Sequence, residues 1–221
     1  MNNYANINLV ENQLICVVMN DPEIRQLLFS RFARRKSFLQ SQLVEEVPIQ
    51  NGLVRADVVM CGKRLECFEI KSHNDTLKRL VVQGWQYEQS FDYVTLVCAT
   101  KHLSKAMGIV PHWWGIIEVT GSGKLINLRN TSKNANVNIH GIVDLLENEE
   151  AKRFLRHIGI TKGISRMSHY DLRDAIFAHS NIGEIRDWVI DVLQARETTW
   201  KPSLQANHLP YPSIIESALA L

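Results

Sequence analysis

Cysteine is scarce in this chain, and proline, glycine and unbalanced charge are scarce with it. The four cysteines, Cys16, Cys61, Cys67 and Cys98, form no CxxC pair and sit in apolar surroundings. That excludes a zinc knuckle and a disulfide scaffold, and it reads as buried reduced thiols. Six prolines and eleven glycines among 221 residues exclude collagen-like and low-complexity architectures. No apolar run is long enough to span a membrane, and Met1-Asn2-Asn3-Tyr4 opens no basic-then-apolar leader. These absences point to the cytoplasm, of a bacterium or of a phage-infected cell. The formal net charge is +2, which neither demands nor forbids a nucleic-acid partner, because a local basic groove is sufficient.

What is present is the makings of a packed α/β chain. With 45% hydrophobic residues, a core is affordable. Asp21-Pro22-Glu23 starts a helix, with Asp21 as cap and a stripe of Ile24, Leu27, Leu28 and Phe32. It runs toward the basic cluster Arg31, Arg34, Arg35 and Lys36, which suits a helix C-terminus or a DNA backbone. Strands are expected at Val44 to Ile49, Leu53 to Met60, Leu65 to Lys71 and Tyr93 to Ala99, with a helix over about 76–90. A further hairpin, Trp114 to Val119 with Leu125 to Leu128, turns around Gly121-Ser122-Gly123. The order α-β-β-β-α-β predicts a mixed central sheet with helices about it. Residues 129–140 are polar and Asn-rich, and read as a linker or loop. Helices over about 142–157, 168–178 and 182–195 then form a helical module, and residues 197–221 a tail. The expected division is a core over 1–130 and a helical module with tail over 141–221.

The chemistry concentrates in two of the strands, Arg55-Ala56-Asp57-Val58-Val59 and Phe68-Glu69-Ile70-Lys71-Ser72. Alternation puts Glu69 and Lys71 on one face. A turn centred on Lys63 sets Asp57 across from Glu69. On the other face Ala56, Val58, Phe68 and Ile70 are expected to pack inward together. Two facing carboxylates repel, and a divalent cation between them turns that cost into a binding site. A lysine beside the cation suits a phosphate or an activated water. The bland alternative is a set of ordinary strand charges in salt bridges. Gln83 and Tyr87 lie four apart on the following helix and share a face. Arg79 lies one turn earlier, placed to touch a phosphate or to pair with Asp75.

Asp57 followed by Glu69-Ile70-Lys71 resembles the D…(D/E)XK signature of the PD-(D/E)XK nuclease superfamily, which includes restriction endonucleases, junction resolvases and RecB-like exonucleases. Ala56 stands where the signature has proline. Gln83-Gly84-Trp85-Gln86-Tyr87 resembles the QxxxY motif of the RecB-like and lambda-exonuclease-like branches. The stretch also resembles a small family of bacterial and phage proteins within that superfamily. The likeness covers residues 40–120. It implies a restriction-endonuclease-like fold and a metal-dependent nuclease acting on DNA rather than RNA. It implies catalytic roles for Asp57, Glu69 and Lys71, and Mg²⁺ or Mn²⁺ held by Asp57, Glu69 and the Ile70 carbonyl. An upstream glutamate is also implied, Glu46 in preference to Glu45. Gln83 and Tyr87 are implied to face the substrate. The rival readings are a non-catalytic nucleic-acid-binding module on the same fold, and a regulatory or phage-defence protein. The C-terminal helices are then the surface for a homodimer or a partner protein.

Overall fold

The computed structural model of the chain describes residues 18–34 and 43–196. The expectations for Cys16, Arg35, Lys36 and the tail over 197–221 lie outside the described residues. The fold is mixed α/β. Helix α1 (Asp21–Ala33) is followed by strands β1 (Leu43–Ile49), β2 (Val54–Cys61) and β3 (Leu65–Lys71). Then come α2 (Leu80–Ser90), β4 (Tyr93–Ala99), the short α3 (Leu103–Met107), β5 (Gly115–Val119) and β6 (Leu125–Arg129). Four more helices follow: α4 (Ile139–Val143), α5 (Asn148–His157), α6 (His169–His179) and α7 (Ile182–Ala195). The six strands form one sheet whose spatial order is the chain order. Strands β1, β2 and β3 are an antiparallel meander, β3, β4 and β5 run parallel, and β6 returns antiparallel to β5. Each parallel step needs a crossover, and α2 and α3 supply them.

The two faces of the sheet are covered unequally. Helix α1 lays Ile24, Leu28, Phe29 and Phe32 on Val58, Phe68, Ile70, Val97 and Ile117. The opposite face carries a larger core, shared by α2, α4, α5, α6 and α7. The helices over 139–195 are therefore no separate module. Leu145, Phe154, Ile185 and Leu193 belong to the same apolar cluster as Val47, Val59 and Leu96 of the sheet. Helix α7 alone sinks Ile185, Val189 and Leu193 completely. That is worth roughly 5–9 kcal/mol before the entropy of ordering is charged against it.

Several expected boundaries move, each for a local reason. The cap of α1 is Asn20, whose side chain accepts from the Glu23 N–H while Glu23 accepts from the Asn20 N–H. Helix α2 starts at Leu80, because Asp75 spends its carboxylate on the N–H and hydroxyl of Ser72 and holds a turn there. The helix expected over 142–157 is two helices. Asp144 caps the end of α4, and Glu150 restarts the chain by accepting from the Glu147 N–H. The segment over 129–140 is strapped down rather than loose. Asn134 is buried and donates to the carbonyls of Glu88 and Phe91, and Thr131 donates to that of Val94. Cys61, Cys67 and Cys98 are buried free thiols, as expected. Burial pushes Cys61 up to about 12. Among the described residues no helix is long and apolar enough to cross a membrane.

Candidate active site

The β2–β3 ladder runs from Val58 opposite Phe68 to Cys61 opposite Leu65. Asp57 lies one residue before that first pair on β2, and Glu69 one residue after it on β3. The turn between the strands closes with the Gly62 N–H on the Arg64 carbonyl, so it is centred on Lys63 as expected. Asp57 reaches across the pair, and its Oδ2 accepts from the Ile70 N–H at 2.7 Å.

Asp57 sits where two strands turn over together. Val44 and Val47 face the larger core although they are three residues apart, and so do Ala56 and Val59. Strict alternation forbids both spacings. The β1–β2 register is nevertheless the same on either side, Glu45 opposite Val58 and Val47 opposite Ala56. Between them Glu46 takes a left-handed backbone with φ of 55°, uncommon for a residue with a side chain. Ala56 therefore leaves the face of Val58, Phe68 and Ile70, contrary to the expected grouping. Asp57 is left at the crossover between the two layers.

Glu69 is fully buried, and a buried carboxylate needs partners. Lys71 Nζ donates to its Oε1, and the Tyr87 hydroxyl donates to its Oε2 at 2.5 Å. The same hydroxyl lies 3.0 Å from the Arg55 carbonyl oxygen. Gln83 bridges the pair, with its Oε1 3.4 Å from Lys71 Nζ and its Nε2 3.4 Å from the Tyr87 hydroxyl. The helical spacing of Gln83 and Tyr87 thus turns both toward the two facing strands. Tyr87 is also a packing residue, buried against Phe91 and Trp114 with ring centroids 5.6 and 6.0 Å away.

The electrostatics follow from burial. Burial first, then the charge of Glu69, pushes the Asp57 carboxyl up to about 7, against the opposing pull of the Ile70 N–H, Lys71 and Arg25. Burial and Glu69 also hold the Tyr87 hydroxyl well above its ordinary value. Arg25 is the residue that sequence reasoning missed. From α1 its Nη1 donates to the Asp57 carbonyl at 2.8 Å and to Glu45 at 3.2 Å, while its Nη2 donates to Glu46 at 2.5 Å and stands 3.8 Å from Asp57 Oδ1. Burial alone would depress its pKa, but Asp21, Asp57 and Glu46 raise it overall. Its only local signature is Asp21 four residues earlier.

The structure thus gathers Asp57, Glu69, Lys71, Gln83 and Tyr87, and adds Arg25. Glu46 is bound to Arg25 and Arg55 at the rim, and Glu45 shares Arg25. Arg79 is exposed just before α2, and its alternative partner Asp75 is engaged by Ser72. Among the described residues no group of three or more His, Cys, Asp and Glu side chains is gathered tightly enough to hold a metal ion. Asp57 and Glu69 are hard oxygen donors near each other, and burial, then the charge of Glu69, raises the Asp57 carboxyl. Carboxylate oxygens are the donor type a hard divalent cation takes, and at Glu69 such an ion would have to share them with Lys71 and Tyr87.

Comparison with known proteins brings in phage relatives. The chain is 26% identical over 182 residues to Protein cII of Enterobacteria phage P4, covering 81% of this chain and 68% of that protein. Among solved structures, the SPO1766 protein of unknown function from Silicibacter pomeroyi aligns at 16% identity over 53% of this chain and 79% of that one, with a TM-score of 0.34. A score that low carries no argument about fold or function. The family model of bacteriophage P4 protein cII matches residues 17–209, which take in the sheet, its site and, among the described residues, the helices after it. The chain belongs to the bacteriophage P4 protein cII family.

Proposed function

We propose that this chain is a metal-dependent nuclease of the PD-(D/E)XK type, cutting phosphodiester bonds in DNA, in the cytoplasm. The observation that carries the reading is the hydrogen-bonded cluster of Glu69, Lys71, Gln83 and Tyr87, with Asp57 beside it on the Ile70 N–H. Asp57 and Glu69 would hold Mg²⁺ or Mn²⁺, with the Ile70 carbonyl and Glu46 as the further donors the resemblance implies. When bound, the cation supplies hydroxide near neutral pH and polarises the scissile phosphate. Lys71 places a positive charge where the transition state gains negative charge. Tyr87 fixes the orientation of Glu69, and Gln83 steadies the Lys71 ammonium. Arg79, exposed at the mouth of α2, meets the strand backbone.

A second reading is a non-catalytic nucleic-acid-binding or regulatory protein on the same fold. It draws on the closure of the cluster, since both oxygens of Glu69 are taken and Lys71 is only 6% exposed. In that reading the exposed sides of α5 to α7 serve a second copy or a partner protein.

Incubation with single-stranded, duplex and branched DNA, with Mg²⁺ and with Mn²⁺, separates the two. Wild type should cleave only with metal. Lys71→Ala should lose cleavage and keep Mn²⁺ binding by calorimetry, and Asp57→Ala should lose both. No cleavage of any substrate, with equal Mn²⁺ binding by wild type and Asp57→Ala, rejects the nuclease.

A further inference from the structure

Helix α2 has two working faces. Gln83 and Tyr87 turn inward to Glu69 and Lys71. On the outer side Val81, Val82 and Trp85 lie one turn apart and are 64%, 62% and 63% exposed. A valine pair and an indole at that spacing are usually buried against a neighbour, and here they are open. Two cations precede them. Lys78 and Arg79, in the turn leading into α2, are exposed and make no ion pair among the described residues. Parallel pairing brings the end of β4 beside the end of β3, and the His102 ring is tied to the Ser72 carbonyl at 2.9 Å. The exposed Lys101 and Lys105 therefore arrive at the same edge of the sheet. The acids nearby each hold a hydrogen bond, Asp75 from Ser72, Glu88 one turn beyond Trp85 from the Asn136 amide, and Glu118 from the Thr100 hydroxyl.

From this juxtaposition we infer that the outer face of α2 binds single-stranded DNA, with a base stacked on Trp85 and the backbone on Lys78 and Arg79. An exposed indole beside unpaired cations matches a strand that offers a π-face and a phosphate at each step. A duplex hides its base faces in the stack and matches only the cations. A strand passing over the start of α2 runs from Trp85 across Arg79 toward Lys71. The inference rests on the nuclease reading for where that strand leads, and it specifies the substrate as single-stranded or frayed.

The test is fluorescence anisotropy of a labelled thymidine oligonucleotide and of a matched duplex, in EDTA, so that binding is read without cleavage. Trp85→Ala should weaken single-strand binding roughly 5- to 100-fold, the range for losing one stacked base, and Trp85→Phe should recover most of it. Lys78→Ala with Arg79→Ala should weaken both probes and flatten the salt dependence. Duplex binding should be unchanged by Trp85→Ala. Equal single-strand affinity of wild type and Trp85→Ala overturns the inference. So does a wild-type dimer in sedimentation that Trp85→Ala dissociates while DNA binding stays the same, because the face then belongs to a second copy. Trp85-dependent binding without cleavage under any metal leaves this face assigned and removes the nuclease reading instead.

Discussion

Asp57 combines burial with a like-charged neighbour, so its protonation should be visible in stability. Its carboxyl is raised to about 7 in the fold and stays near 4 in the unfolded chain. Between those values the folded chain holds the extra proton, so unfolding becomes easier as pH rises through the window. In EDTA, wild type should therefore lose stability from about pH 4 to pH 7 relative to Asp57→Asn, with the variant ahead at pH 8 by roughly 1–3 kcal/mol. Urea unfolding of the two proteins across that range checks it, and parallel curves would contradict it. Tyr87 makes a second case, because it both packs and donates to Glu69. Tyr87→Phe should cost about 1–3 kcal/mol, for a buried acceptor left short. Tyr87→Ala should cost about 3–5 kcal/mol, for the emptied ring site. Thermal unfolding of both variants measures the difference, and equal losses would make the hydroxyl irrelevant. Asp57, Glu69, Lys71, Gln83 and Tyr87 were legible because periods of two and of 3.6 fix which side chains share a face. Arg25 was not, since its partners lie 20 to 32 residues away in the chain. Nor was the turnover at Glu46, because nothing in the residue type announces a left-handed glutamate.

At the scale of elements, α2 is the piece that joins site to scaffold. Its outer turn carries the exposed stripe, its inner side the site, and its last turn abuts α4. There Gly141 sits so close that a Cβ would collide with the Gln89 carbonyl, and the Ser90 hydroxyl donates to the Gly141 carbonyl at 2.8 Å. Gly141→Ala should destabilise by about 1–3 kcal/mol, as overpacking does. Gly62→Ala, with open space about it, should stay within about 0.5 kcal/mol of wild type. Paired melting curves test this, and equal shifts would mean that α4 yields without cost. Strand positions were read well because runs such as Tyr93 to Ala99 are apolar, short and flanked by breaks. The 3₁₀ turn at Thr100–His102 and helix α3 went unread, since one or two turns carry too little pattern. The break between α4 and α5 was hidden because Leu145 and Leu146 remain buried across it.

For the whole molecule, composition and element order foretold a mixed sheet with helices about it, but not that the last helices complete its core. The segment over 129–140 is a loop with little regular structure, and its Asn134 is polar in order to bind backbone carbonyls inside the fold. Two cores built on one shared sheet imply one transition. A chain ending at residue 140 should bare the face of Val47, Val59 and Leu96 and lose cooperative unfolding. Calorimetry of that shortened chain tests the point, and a sharp melt would restore two independent domains. Ion pairs reinforce the closure from afar, as Arg186 of α7 binds Asp92 ahead of β4, and the Gln194 side chain donates to the Cys61 carbonyl at 2.8 Å.

Because each strand is laid beside the one made just before it, the sheet can grow in step with translation. The cluster of Glu69, Lys71, Gln83 and Tyr87 is drawn from residues that have all been synthesised once Tyr87 has appeared. The apolar cover of the sheet's larger core is complete only with Leu193. At about 5–20 residues per second, the ribosome leaves that face open for roughly 5–20 s. During that interval the nascent chain is a half-finished sandwich, and a folding helper at the ribosome exit has its clearest reason to bind there.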